Sequence, residues 1–124
     1  MGRRVLHQFC IPYDPDEGDI DLARLRLAVA ELMERGAQAL QADGYEQDDA
    51  VLDRLAKMRY AGQTRTLLID LESLTDRGRL LRPFHEQADR AFGRAQAGRR
   101  VEIVGLVLEV VVDPDGPIAS IGQG

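Results

Sequence analysis

The chain has no tryptophan, a single cysteine and only 5% aromatic residues. Any core must therefore be assembled mostly from Leu, Val, Ile and Ala. Cys10 stands alone, so no internal disulfide can form. A thiol without a partner fits a reducing compartment, and a cytoplasmic location is expected. Lysine is almost missing as well. Lys57 is the only one, and the other basic side chains are Arg. Schiff-base or lysine-nucleophile chemistry has one candidate. The formal net charge is −5, whereas a nucleic-acid footprint needs a basic face, so no nucleic-acid partner is expected. Arg3 and Arg4 are not followed by the apolar stretch of a signal peptide. The longest apolar run, Val101–Val112, is too short to cross a bilayer as a helix and contains Glu102 and Glu109. A soluble chain without a membrane partner is the expectation.

What is present suffices for one domain. The 124 residues are 44% apolar, enough for a real core at this size. We expect a single domain over 1–124, with a loop at 12–19 and a flexible tail at 113–124. Residues 4–11 read as a short strand bounded by Pro12. The following stretch to Asp19 holds two prolines, a glycine and four acids, which marks a loop. Asp19 or Asp21 then offers an N-cap carboxylate. Leu22, Leu25, Val29, Leu32, Gly36 and Ala39 recur at steps of three and four, predicting a helix from about 21 to 42. Asp43-Gly44 ends it, with Gly44 suited to a left-handed position.

The second half is less regular. Residues 47–54 fit a helix or a strand equally. A hairpin of about 54–60 with 64–71 follows, turning at Ala61-Gly62-Gln63. Residues 73–79 form a polar connector. Pro83 suits the first turn of a second helix, on which Phe84, Ala88, Ala91 and Phe92 share a face and which Gly93 stops. A polar loop, 94–100, leads into the strongest strand, Val101–Val112. Its apolar character is that of a central or twice-covered strand. The run 113–117 is a turn cluster. The fold class expected is α+β, a small mixed sheet with a hairpin and a long strand, packed by two amphipathic helices.

Few residues carry a recognisable chemistry. His7 and Cys10 have H-x-x-C spacing, but nothing completes a four-ligand zinc set. The acidic run at 14–19 has its glycine one place too early for a calcium loop and lacks the closing Glu. There is no glycine-rich phosphate loop. Ser73 and Ser120 lie in no G-x-S-x-G elbow. His85 has the chemistry of a general base, with Glu86 beside it and Asp89 one helical turn on, a spacing that also marks an ordinary helix-surface pair. The chain alone presents no complete active site.

Two segments point further. Met58-Arg59-Tyr60-Ala61-Gly62-Gln63 precedes the β-rich 64–71, and the helix from Phe84-His85 to Phe92-Gly93 precedes Val101-Glu102. In this order they resemble the C-terminal region of the hydantoinase A/oxoprolinase family, which includes the ATP-dependent acetone- and acetophenone-carboxylase-like enzymes. There an R-Y-x-G-Q turn precedes a strand, and an F-H-x-x-H-x-x-x-Y-G helix precedes a V-E strand. The likeness runs from about residue 20 to 112. Departures occur where the family's second helix histidine is Ala88, its tyrosine is Phe92, and an arginine common on the last strand is Val107.

Arg59, Tyr60, Gly62, Gln63, Phe84, His85, Gly93 and Glu102 are thus the motif or interface residues expected, in a mainly structural role. Gly62 permits a positive φ, Tyr60 suits a partly buried seam with its hydroxyl satisfied, and Glu102 is a candidate partner for Arg59 or Gln63. No catalytic and no metal-binding residue is expected. The resemblance implies that the nucleotide machinery, of actin/Hsp70 type, lies in parts absent from this chain. ATP and a divalent metal then belong to a large partner subunit in a hetero-oligomer. This chain would be a separately encoded, non-catalytic small subunit of an acetophenone-carboxylase-like complex. A hydantoinase or oxoprolinase complex is the alternative. A free-standing binding module, and a small enzyme using His85, are the readings outside that family role.

Overall fold

The computed structural model describes residues 4–71, 77–93 and 98–112. Strand β1 (Arg4–Pro12) is followed by helix α1 (Leu22–Ala42) and a short 3-10 turn (Gln47–Asp49). Strands β2 (Ala50–Tyr60) and β3 (Leu67–Asp70) come next, then helix α2 (Arg77–Phe92) and strand β4 (Val101–Val112). The four strands form one sheet in the order β1-β4-β2-β3, and every neighbouring pair is antiparallel. The α+β class is as expected, but no parallel neighbours make the sheet mixed. The reason is topological. Each helix crossover joins two strands that run the same way, and a third strand is inserted between them. β4 separates β1 from β2, and β2 separates β3 from β4. The result is two interlocked split β-α-β units.

Helix α1 is built by local rules. The Asp21 side chain accepts from the backbone N–H groups of Ala23 and Arg24 at 3.1 and 3.2 Å, satisfying donors that the first turn leaves without partners. Leu25, Val29, Leu32, Gly36 and Leu40 are its buried stripe. At the other end Tyr45 N–H donates to the Leu40 carbonyl and Gly44 N–H to that of Gln41. Gly44 has φ +87°. These bonds make a Schellman ending. Gly36 lets the helix approach the sheet, since a Cβ there would lie 2.5 Å from Leu108 Cδ2.

The sheet has two unlike faces. Ala56, Met58, Tyr60, Ile69, Ile103, Leu106, Leu108 and Val110 point to the helix side and join Leu25, Val29, Leu32, Leu80 and Phe84 in one core cluster. The opposite face carries no helix among the described residues. Three of the exposed large apolar side chains, Val5, Val51 and Leu68, lie on it by strand alternation. A bulge at Val104 shifts the β2–β4 register between Lys57 and Met58, so both halves of β4 keep their apolar side chains toward the helices.

Four sequence expectations change. β2 begins at Ala50 rather than 54, which resolves the 47–54 ambiguity mostly to strand. β3 is shorter than 64–71 because Arg65 turns to α2, its guanidinium 4.4 Å from the centre of the Phe92 ring. Pro83 lies inside α2 rather than in its first turn, since the helix starts at Arg77. Ala91 is exposed, while Phe84 and Ala88 are buried and Phe92 half-buried. The turn at 113–117, the tail, Ser73 and Ser120 lie outside the described residues.

Candidate functional site

The motif residues singled out in the sequence meet at one corner, where β2 ends, α2 passes and β4 begins. Tyr60 closes a turn, its carbonyl accepting from Gln63 N–H at 3.0 Å. Gly62 has φ +84°, and among the described residues no non-glycine residue has a positive φ. That combination is a type II turn, which needs Gly at its third position. The positive φ is what requires glycine here, since a Cβ would meet only an Arg99 nitrogen at 3.4 Å, an ordinary contact. Gly93, with φ +87°, ends α2 as its N–H reaches the Asp89 carbonyl.

Tyr60 is fully buried and packs edge-on against Phe84, with ring centres 4.9 Å apart. Its hydroxyl lies 2.9 Å from His85 Nδ1. In the tautomer whose Nδ1 accepts the phenolic proton, Nε2 carries the ring N–H. On the far sheet face Arg59 Nε donates to Glu102 Oε1 at 3.1 Å. Arg100 approaches the other oxygen of Glu102 at 3.4 Å. One carboxylate therefore holds two guanidinium groups. Gln63 sits instead in a shallow groove with Gly62, Thr64, Arg65 and Phe92. Asp89 and Glu86 are exposed.

Around this corner lies a half-open cavity of about 320 Å3. Its lining combines apolar Ile20, Leu81 and Val101 with His85, Arg99, Arg100, Asp19 and Gly98. Leu81 and His85 are one helical turn apart and share a face of α2. Arg99 donates through Nε and Nη2 to the Ala61 carbonyl, at 3.1 and 2.9 Å. Ala61 N–H in turn donates to the Arg100 carbonyl at 2.8 Å. Arg100 Nη1 donates to the Asp16 carbonyl at 3.1 Å. Of the motif residues, only His85 lines the cavity. Tyr60, the 60–63 turn and Glu102 hold the side chains that do.

The sequence reading missed Asp16, Asp19, Arg99 and Arg100. The sequence marks 12–19 only as a loop. It is organised by Asp16, whose carboxylate accepts from Asp21 N–H at 3.1 Å and from Arg24 Nη1 at 2.8 Å. Arg24 also lies over the Tyr13 ring, 4.3 Å from its centre. Burial raises the Tyr13 pKa, the positive charge of Arg24 opposes this, and Asp16 and Asp21 add to it. A larger depression, about 600 Å3, lies beside the end of α1. It presents acids and amides such as Glu34, Gln38 and Glu46 but no basic side chain or nucleophile. His7 and Cys10 point to opposite faces of β1. Among the described residues no three potential ligands come together for a metal, and no helix is long and apolar enough to cross a membrane.

Comparison with known proteins is informative at this point. Residues 15–118 match the family model described as the hydantoinase/oxoprolinase C-terminal domain. A nucleotide-free structure of an acetone carboxylase, from work on the mechanism of ATP-dependent acetone carboxylation, shares the fold. Its TM-score is 0.73, with 20% identity over 90% of this chain. The ATP-dependent caprolactamase from Pseudomonas jessenii gives a TM-score of 0.68, with 25% identity over 89% of this chain. The chain spans only 18% and 16% of those two proteins. No protein of curated function matches the sequence.

Proposed function

Since the chain belongs to the hydantoinase/oxoprolinase C-terminal domain family, we propose that it is a small non-catalytic subunit of an ATP-dependent enzyme complex. The activity we assign to that complex is carboxylation of a ketone, as in acetophenone carboxylase. One observation carries the reading. The chain has the fold of a segment that makes up less than a fifth of an ATP-dependent acetone carboxylase. In such an arrangement the remainder would come from a large partner subunit holding ATP and a divalent metal. The sheet face without a helix supports this, because Val5, Val51 and Leu68 expose apolar surface of the kind that subunit contacts cover. The site we assign to the cytoplasm is consistent with a lone cysteine.

Arg59, Tyr60, Gly62, Gln63, Phe84, His85, Gly93 and Glu102 act in this reading as a scaffold that fixes one corner of the domain. A second reading, a subunit of a ring-opening amide hydrolase, is favoured by the likeness to caprolactamase. Affinity capture of the tagged chain from its native cells tests the proposal. Co-elution of a large ATP-binding member of the same family is the expected result. ATP-dependent turnover of a ketone with bicarbonate by the captured complex separates the first reading from the second. Recovery of a stable lone monomer from the native extract would count decisively against both.

A further inference from the structure

The cavity between α2 and the start of β4 has no part in that reading, yet its walls are built with care. Three basic residues line it together with apolar Ile20, Leu81 and Val101, and each has an anchor. Arg99 is held by the Ala61 carbonyl, Arg100 by the Asp16 carbonyl and Glu102, and His85 by the Tyr60 hydroxyl. A guanidinium offers five N–H donors in a rigid fork that matches a carboxylate. Side chains already immobilised lose little further freedom when a ligand arrives. The volume, about 320 Å3, falls at the small end of ligand sites.

We propose that this cavity binds a small organic monocarboxylate. The carboxylate lies against Arg99, Arg100 and His85, and its apolar body covers Ile20, Leu81 and Val101. The charge balance selects a monoanion. Glu102 pairs with Arg100 as well as with Arg59, so one carboxylate already offsets part of the positive charge beside the cavity. A dianion such as phosphate exceeds what remains and leaves the apolar lining unused. The role of the motif residues follows. Tyr60, Gly62 and Glu102 are positioning residues for the cavity walls.

The experiment is a titration of the full 124-residue chain, followed by amide and imidazole NMR signals at constant ionic strength. Sodium butyrate, its neutral isostere butanamide, and inorganic phosphate are the probes. Butyrate is expected to shift the amides of Ile20 and residues 98–101 and the ring of His85, with saturation. Butanamide and phosphate should leave these signals in place. Arg100→Gln and Arg99→Gln should each weaken butyrate binding roughly tenfold or more. Should one of them fail to fold, the other carries the reading. Tyr60→Phe should weaken it less and broaden the His85 ring signals. Shifts that never saturate, that map elsewhere, that phosphate reproduces, or that survive both arginine changes would overturn the proposal. None of these results bears on co-elution with a large subunit, so the two readings fail separately.

Discussion

The two faces of the sheet are made by the same strands and obey opposite rules. On the helix side Ala56, Met58, Tyr60, Ile69 and Leu108 are completely buried, and no charged residue is buried among the described residues. On the other side apolar and ionic side chains are interleaved. Val5, Val111 and Val51 form one row across the strands, Gln8, Glu109 and Asp53 the next, and Cys10, Val107 and Leu55 a third. Gln8 donates to Glu109 at 2.8 Å within the middle row. The difference teaches where stability resides. Burial against helices makes one face intolerant of change, while the other is buried along β4, at Val107 and Val111, and exposes Val5, Val51 and Leu68 on the flanking strands.

Substitutions of matched chemistry should break the faces apart. Leu108→Ala removes a fully buried side chain and should cost about 2–5 kcal/mol. Leu68→Ala on the other face, where the side chain is 47% exposed, should cost below about 0.5 kcal/mol. Urea midpoints of the two variants measure the contrast, and equal losses would erase it. Gly36→Val comes next. Its added atoms meet Leu108 Cδ2 within the core, so a loss of roughly 1–3 kcal/mol is expected. Val51→Thr, on the bare face, should stay within about 0.5 kcal/mol of the parent.

The smallest effect sharpens the comparison at its margin. Tyr13 is buried on the helix side, but among the described residues its hydroxyl has no hydrogen-bond partner. Tyr13→Phe should therefore change stability at neutral pH by less than about 1 kcal/mol. Its pKa is raised from 10.0 chiefly by burial, so the fold favours the neutral phenol. That contribution is present below about pH 10 and is lost as pH rises through the folded value. Thermal melts across alkaline pH should show a shallower decline for the Phe variant than for the parent. Parallel curves would show that ionisation of Tyr13 is not linked to folding.

Helix α1 was legible in the sequence because one element packs on one face, so its apolar residues keep a single period. Leu22 to Gly36 declared it, and Gly44 its end. β4 was legible because a central strand is apolar on both faces. The first half of β2 was not. Val51, Leu52 and Leu55 meet different surroundings on the two faces, and the same spacing serves a helix. Pro83 misled because a proline is a local signal for a helix start, while Leu80 and Phe84, buried on either side of it, keep α2 continuous. At the candidate site, the turn and a satisfied Tyr60 hydroxyl could be anticipated from residue types, but not that His85 is the partner and Phe84 the packing neighbour. The cavity could not. Arg99 and Arg100 looked like part of a polar loop, and Asp16 like one acid among several. Only the fold brings residues 16, 61, 85, 99 and 100 together.

The strand at the centre of the sheet is the last of the described strands in chain order. β1 and β2 have no direct pairing and depend on β4 to join them. Arg4 waits for Val112, and Pro12 for Gly105. During synthesis on the ribosome, α1 and the β2–β3 hairpin can form as they emerge, but the N-terminal strand must remain unclaimed until residue 112 has cleared the exit tunnel. Closure is thus a late event of high contact order, slow by the standards of small helical domains. A chain stalled anywhere before Val101 would present an orphan strand to every other nascent edge in the cell.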